Sequence, residues 1–385
     1  MNPIFAQTAT SVFETMSRLA RQFDAVNLGQ GFPDDPGPQD VRQKAADAVM
    51  TGWNQYPPMM GIPELRQSIA RHYKRFHQLD LDWENEVMVT SGATEALAGA
   101  LLALIEPGDE VVLFQPMYDA YLPLVKRAGG IPRFVTLRPP HWRIDEEQLR
   151  AVFNKKTRVV LLNNPLNPTG SVFLREDLDL LARYVVEHDC IVVCDEVWEH
   201  VLFDDIEHTP LLTLPSLRNR VVKIGSAGKI FSLTGWKVGF VCAAPEILRV
   251  VAKAHQYVTF TTPPNLQAAV AYGLDKDDGY FVGSRRDFQA ARDRFAAGLE
   301  KLGLSVLPSS ATYFLNVDLT KGRFAGMTDN AFSIRLVEEA RVASIPVSAF
   351  YAEESVTSVV RFCFAKKFET LDEALKRLDA FMARA

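Results

Sequence analysis

Ser226-Ala-Gly-Lys-Ile-Phe-Ser-Leu-Thr-Gly-Trp-Lys-Val-Gly239 (SAGKIFSLTGWKVG) sets a lysine, Lys229, directly after a small, flexible tripeptide and ahead of a run of hydroxyls and glycines. Three chemistries suit it: a phosphate-cradling loop, a reactive amine, or a glycine-rich turn with a solvated lysine. The nucleotide loop fails on spacing. It needs Gly, four residues, then Gly-Lys-Ser/Thr. Here the first glycine position falls on Lys223, and Ile230 follows Lys229. No Gly-x-Gly-x-x-Gly follows a β-rich run, so the dinucleotide fingerprint is absent too.

Outward from this stretch, short β-rich runs alternate with helical patterns. The runs are 86–90 (EVMVT), 110–114 (EVVLF), 133–137, 158–163 (RVVLLN), 190–194 (CIVVC), 220–225 (RVVKIG) and 237–242 (KVGFVC). Helix-like segments fall near 94–105, 118–129 and 175–188. Near-continuous Val/Ile/Leu runs belong to strands covered on both faces. The expected class is therefore α/β, a mostly parallel central sheet sandwiched by helices. From about 280 the pattern changes to a long charged helix (280–302), short strands (304–307, 313–317, 345–348, 357–364) and helices (329–341, 370–384). That predicts a smaller α+β domain. The expected partition is 1–40 as an N-terminal arm and part of the small domain, 41–278 as the large domain and 279–385 as the small one.

Bulk properties narrow the function classes. The net charge is −5 and no block of like charges occurs, so a nucleic-acid surface is not expected. Four cysteines in apolar, strand-like surroundings read as buried free thiols. No basic-then-apolar leader and no long apolar run is present, so the expectation is a soluble cytoplasmic protein without a membrane span. The histidines at 72, 77, 141, 188, 200, 208 and 255 show no metal-ligand spacing and are expected to be structural, with no metal site. Glu64, Arg66, Arg71 and Lys74 read as a solvated helix face.

Three further loops carry candidate chemistry. Thr90-Ser-Gly-Ala-Thr-Glu95 follows a strand and opens a helix, where free backbone N–H groups and the helix dipole attract anions. A plain capped strand–turn–helix junction looks similar. Asn163-Asn-Pro-Leu-Asn-Pro-Thr-Gly170 is a rigid turn at a strand end, where open α/β sheets bind ligands. Asp195, after five apolar residues, is costly to bury unless it caps the strand end or faces a cation. Lys229 becomes a nucleophile if burial or neighbouring cations lower its pKa. Anion cradle, amide donors, acid and amine together fit pyridoxal phosphate, which has a phosphate, a ring oxygen, a pyridinium nitrogen and an aldehyde.

These residues are recognisable. NLGQGFPD (27–34), NQYPPMMG (54–61), SGATEAL (91–97), NNPLNPTG (163–170), DEVWEH (195–200), SAGKIFSLTGWKVGF (226–240) and VVRFCFAKK (359–367) stand in order along nearly the whole chain. The chain thereby resembles the fold-type I, class I aminotransferases. HQYVTF (255–260) and RFCFAKK point to the methionine and kynurenine aminotransferase branch, including glutamine transaminase K-like enzymes.

The resemblance implies that Lys229 joins the cofactor as a Schiff base and shuttles the proton, and that Asp195 pairs with the pyridinium nitrogen. It implies that Asn167 donates to the ring oxygen, Tyr118 stacks on the ring, and Ala93, Thr94, Ser226 and Lys237 hold the phosphate. Tyr56 is expected to reach that phosphate from a second subunit, which implies a homodimer with shared sites. Arg361 is expected to grip the substrate carboxylate, with Gly31 and Asn163 on the same side. Phe260, also from the second subunit, is expected to line the side-chain pocket. By itself Arg361 could equally be a rim residue on an edge strand. Trp198 stands where the family usually has a tyrosine whose phenol serves the ring oxygen. An indole N–H donates but cannot act as a general acid. Lys237 replaces an arginine of many relatives and meets phosphate as a point charge.

The implied reaction is transfer of the α-amino group of an apolar, sulfur-containing or aromatic L-amino acid to a 2-oxo acid. β-Elimination from cysteine conjugates uses the same cofactor and remains a rival. So does transamination of succinyldiaminopimelate, which needs a further cation in the pocket. A DNA-binding regulator on this fold is not expected, because no basic helix-turn-helix is present. An apolar pocket separates methionine, leucine and phenylalanine poorly, one methylene being worth about 1–3 kcal/mol.

Overall fold

The seven β-rich runs of the middle of the chain form one sheet. Its strands are β1 (Val87–Thr90), β2 (Glu110–Gln115), β3 (Ile131–Thr136), β4 (Thr157–Asn163), β5 (Ile191–Asp195), β6 (Val221–Ser226) and β7 (Gly239–Ala243). The spatial order is β1-β7-β6-β5-β4-β2-β3. β7 is antiparallel to both of its neighbours, and the other neighbouring pairs are parallel. The computed structural model describes residues 1–6 and 10–384.

Both faces of the sheet are covered, as the continuous apolar runs require. Successive side chains of β5 alternate between layers. Val192 joins a cluster with Leu65, Ile69 and Tyr73, and Val193 one with Leu97, Ala100 and Val251. The helix Pro63–His77 shows how the first layer forms. Proline and Glu64 sit in its first turn, and Lys74, Arg75 and His77 in its last, each favourable with the helix dipole. Leu65, Ile69, His72 and Tyr73 recur at helical spacing and are buried.

Several expectations are corrected. Arg66 is not on a solvated face: it is buried, its Nε donates to Val87 O at 2.9 Å, and its guanidinium lies over Trp83. Arg71 and Lys74 do face outward, paired with Asp275 and Asp80. The 237–242 run does not begin at Lys237, which adopts a left-handed turn with φ 53° before β7 starts at Gly239. The 345–348 run is extended only over Ile345–Pro346, and Val347–Phe350 closes into a 3-10 turn. The cysteines are free and buried, as read from the sequence.

A second sheet of four strands lies in the C-terminal part. Val359–Cys363 is one of its inner strands, flanked by Ile345–Pro346 and Phe314–Asp318. The helix Val12–Gln22 packs Met16 and Ala20 onto Val337, Ile345 and Phe350 of this region, and Val26–Asn27 pairs with Val342–Ala343. The N-terminal segment therefore has no core of its own. Asn316 ties the second sheet to the first, its Nδ2 donating to Pro168 O at 3.1 Å and Thr169 O at 2.9 Å.

Candidate active site

The register of the central sheet gathers the sequence motifs. Asn163 of β4 lies beside Asp195 of β5. Ser226 of β6 and Thr90 of β1 both face Gly239 of β7. Strand ends far apart in sequence thus meet at one rim, where parallel sheets bind ligands. A cavity of about 210 Å³ there is lined by Ala93, Thr94, Tyr118, Asn163, Asn167, Asp195, Trp198, Ser226, Lys229 and Lys237. A larger hollow of about 860 Å³ lies beyond the Lys229 loop, against Phe231, Tyr280 and Phe288, and it has none of these groups in its lining.

At one end of the cavity is a helix start of the kind that can hold an anion. The helix Gly92–Leu104 begins there, and its first N–H groups have no intrahelical acceptor. Glu95 caps the Ser91 N–H at 3.0 Å, leaving the next turn free to face a ligand. Gly92 has φ +77°, and a Cβ on it would sit 3.2 Å from Lys237 Cε. That close approach is how Lys237 reaches the helix start.

Asp195 is buried in the floor. Its Oδ2 accepts from Tyr121 Oη at 2.7 Å, and its Oδ1 accepts from Val197 N at 3.3 Å. Burial pushes its pKa up, and the Tyr121 and Val197 bonds pull it back down. Asn163 Nδ2 donates to Asp195 O at 2.8 Å, and Asn163 Oδ1 accepts from Asn167 N at 2.8 Å. The Asn163–Gly170 turn is therefore fixed onto β5. Gly170 closes it at φ +72°, where a Cβ would lie 2.3 Å from Ser309 Oγ.

Lys229 projects from the short helix Ala227–Ile230. Its Nζ donates to Gly31 O at 3.4 Å and lies 4.5 Å from the centre of the Trp198 ring. Burial lowers its pKa to about 8. Tyr313 Oη donates to Lys229 O at 3.0 Å and fixes the backbone below it. Trp198 is packed edge-on against Tyr313 and Phe314 and lines the cavity.

Arg361, on the second sheet, does not itself line this cavity; it reaches the site through Asn167, which does. It is an inner-strand residue only 1% exposed, so the edge-rim alternative is excluded. Its Nη1 donates to Asn167 Oδ1 at 2.9 Å and its Nη2 to Gly29 O at 2.8 Å. Nε has no partner, and among the described residues no carboxylate forms an ion pair with the group. Burial lowers its pKa to about 9. The rings of Phe314, Phe350 and Phe13 lie 3.9, 5.1 and 5.3 Å from the guanidinium carbon.

Tyr56 and Phe260 are not brought to this cavity. They touch each other at the surface, ring centres 5.6 Å apart, and Tyr56 is 81% exposed. Sequence reading missed Tyr121 and the rings of Phe13, Phe314 and Phe350. Tyr121 had a signal, since it lies three residues after Tyr118 and opens the helix Tyr121–Ala128.

The donor set fits a phosphorylated aldehyde. It offers a helix start with Lys237, Thr94 and Ser226 for phosphate, a buried amine of lowered pKa for the carbonyl carbon, and a buried carboxylate for a ring cation. This fold and site define a pyridoxal phosphate-dependent enzyme of fold type I. The family model "aminotransferase class I and II" matches residues 24–378. The chain is 42% identical to a probable N-succinyldiaminopimelate aminotransferase of Mycobacterium tuberculosis, over 98% of this chain and 97% of the relative. It is 38% identical to the methionine aminotransferase of Escherichia coli, over 98% of each. The solved structure of an Escherichia coli methionine aminotransferase superposes with a TM-score of 0.95 at 38% identity, covering 99% of both chains. The chain belongs to the class I and II aminotransferases. It is an enzyme that uses pyridoxal phosphate and takes amino and 2-oxo acids.

Proposed function

We propose that this enzyme moves the α-amino group of an apolar, sulfur-containing or aromatic L-amino acid to a 2-oxo acid. The carrying observation is Arg361: a buried guanidinium with an unbonded Nε, influenced by the charge of Asp119 but in no salt bridge among the described residues, walled by Phe13, Phe314 and Phe350 and bonded to Asn167 at the edge of the Lys229 cavity. A carboxylate completes it through charge-assisted hydrogen bonds, and the rings beside it favour an apolar side chain.

When bound, pyridoxal phosphate supplies a carbonyl for the amine and an electron sink for the carbanion. Lys229 would hold the aldehyde carbon, and its amine would take and return the proton at the substrate Cα. Asp195 keeps the ring nitrogen protonated. Asn167, its Oδ1 occupied by Arg361, has its Nδ2 left for the ring oxygen. Tyr118 covers the ring face, Trp198 walls the Lys229 side, and Ala93, Thr94, Ser226 and Lys237 bind the phosphate. Gly31 and Asn163 complete the carboxylate side.

We also propose a homodimer in which Tyr56 and Phe260 complete the other subunit's site. Met50, Trp53, Tyr56 and Tyr257 are all exposed, and Thr261 Oγ1 donating to Pro58 O joins the two segments into one patch. The proposed partition keeps 41–278 as the cofactor domain and joins part of 1–40 to 279–385. No helix of the described residues is long and apolar enough to cross a membrane. Buried free thiols suit a reducing compartment, so the cytoplasm is the proposed location.

Likeness to the Mycobacterium tuberculosis enzyme favours a second reading, N-succinyldiaminopimelate as amino donor. A half-reaction absorbance panel separates the two. Conversion of the cofactor by methionine, leucine and phenylalanine well ahead of succinyldiaminopimelate supports the first reading, and the reverse order replaces it. Pyruvate and ammonia release from a cysteine conjugate would reveal β-elimination. Borohydride reduction followed by peptide mapping must place the cofactor on Lys229.

A further inference from the structure

The turn after β5 carries groups on two sides. Asp195 and Trp198 line the cavity, and Asp195 is bonded to Tyr121 in the layer with Leu97 and Val251. Glu199 reaches the opposite layer. There, Lys223 of β6 donates to Glu199 Oε1 at 2.7 Å and to the Tyr73 oxygen. Tyr73 Oη donates to the same carboxylate, at 2.8 Å from Oε1 and 2.7 Å from Oε2. Both charged side chains are completely inaccessible to solvent. The Lys223 amine also lies 4.4 Å from the Tyr73 ring centre and 5.1 Å from that of Phe240.

Other polar groups surround this triad. His77 Nε2 is 3.9 Å from Glu199 Oε2, and the Nε2 atoms of His72 and His200 are 2.7 Å apart. Glu196 Oε1 accepts from Leu211 N at 2.9 Å and from Cys194 Sγ at 3.3 Å, and His208 lies 3.4 Å from its Oε2. No group of His, Cys, Asp and Glu among the described residues is arranged to hold a metal ion. Neither Glu199 nor Lys223 lines the cofactor cavity.

Filling a core with an ion pair is energetically poor, since apolar residues of like volume do as well or better. What the pair supplies is direction. Bonds from a helix and from a strand converge on one carboxylate, and that carboxylate sits next to Trp198 and four residues after Asp195. The turn is short and internally bonded, Glu199 N donating to Glu196 O at 3.1 Å and Val201 N to Trp198 O at 2.8 Å, so a shift of Glu199 moves its neighbours.

We propose that Glu199, clamped by Lys223 and Tyr73, is a positioning residue that fixes from behind the turn presenting Asp195 and Trp198, and thereby sets the affinity for pyridoxal phosphate. This rests on the reading of Asp195 as the cofactor's carboxylate.

The test uses cofactor-free full-length protein, titrated with pyridoxal phosphate and melted in parallel. Glu199→Gln and Lys223→Met each leave a buried partner uncompensated and lower both the unfolding midpoint and the affinity. The triple replacement Glu199→Leu, Lys223→Met, Tyr73→Phe removes every polar member together. Its midpoint returns toward wild type, whereas its affinity stays weaker by about tenfold or more, the size expected when groups that orient a ligand's contacts are lost. Affinity that recovers along with the midpoint reduces the triad to a structural role and overturns the proposal, as does wild-type affinity in all three proteins. Wild-type protein that fails to bind at Lys229 would instead overturn the reading of the site itself.

Discussion

Tyr121 Oη donates a 2.7 Å hydrogen bond to Oδ2 of Asp195, beneath the cofactor cavity. The bond stabilises the ionised carboxylate against its burial. Tyr121→Phe removes it and leaves the aromatic packing against Tyr118 in place. Asp195 then binds a proton more tightly and holds a ring cation less well. A hydrogen bond to a charged group contributes about 1.5–3 kcal/mol, so kcat/KM should fall roughly 10–100-fold. The phenylalanine variant should also bind pyridoxal phosphate more weakly as pH falls. Wild-type turnover in Tyr121→Phe refutes this account.

Arg361 sets stability against function. A buried cation without a salt-bridge partner is costly to desolvate, yet in the proposed role it is what a substrate carboxylate would bind. Arg361→Met should raise KM for every amino donor and lower kcat/KM by about a hundredfold or more, because bidentate carboxylate recognition is lost. In cofactor-free protein its unfolding midpoint should stay level or rise. Arg361→Lys should not rescue activity, since an ammonium lacks the planar fork. A midpoint that drops by several degrees would show the guanidinium to be chiefly structural.

Much of this was legible in the sequence, for identifiable reasons. Runs such as RVVLLN and CIVVC are short, β-branched and almost wholly apolar, which suits strands covered on both faces, so the central sheet was readable from their pattern and their alternation with helical segments. Lys229, Asp195 and Asn167 sat at strand ends, where the parallel sheet gathers them. Other features depend on tertiary context. Arg66 reads as a surface charge until Trp83 and the Val87 carbonyl close over it. Phe13 and Phe350 reach Arg361 from segments hundreds of residues apart or on another element, and no local pattern announces that meeting. Lys223 sits in a strand-like run, and nothing nearby in sequence names Glu199 or Tyr73 as its partners.

Gly92→Ala tests the phosphate cradle apart from the chemistry. The residue has φ +77°, and its new Cβ would stand 3.2 Å from Lys237 Cε and 3.4 Å from Nζ. The left-handed backbone costs the variant about 1 kcal/mol. Lys237 is a flexible, exposed side chain and gives way, leaving the cradle. Affinity for pyridoxal phosphate should fall about tenfold, and affinity for unphosphorylated pyridoxal should change little. Equal losses for both ligands would remove the phosphate assignment.

Lys229 gives a pH dependence with a definite sign. Burial is the largest cause lowering its pKa from 10.5 to about 8, the charges of Arg361 and Lys237 act the same way, and Asp195 opposes them. The folded chain therefore binds fewer protons than the unfolded chain between those two values, and stability from this group rises with pH across that window. Below the lower value the amine is charged in both states, and folding bears the full cost of burying it. Lys229→Met in cofactor-free protein should be the more stable at neutral pH, by up to about 3 kcal/mol, and the difference should vanish above the window. The same lowering prepares the amine for reaction. Near neutral pH a far larger share of it is neutral than the roughly one part in a thousand of an ordinary lysine. The rate at which pyridoxal phosphate joins the protein should accordingly rise with pH and level off above about 8. A rate still climbing toward 10.5, with no stability gain in Lys229→Met, would mean that the amine is solvated and unprepared.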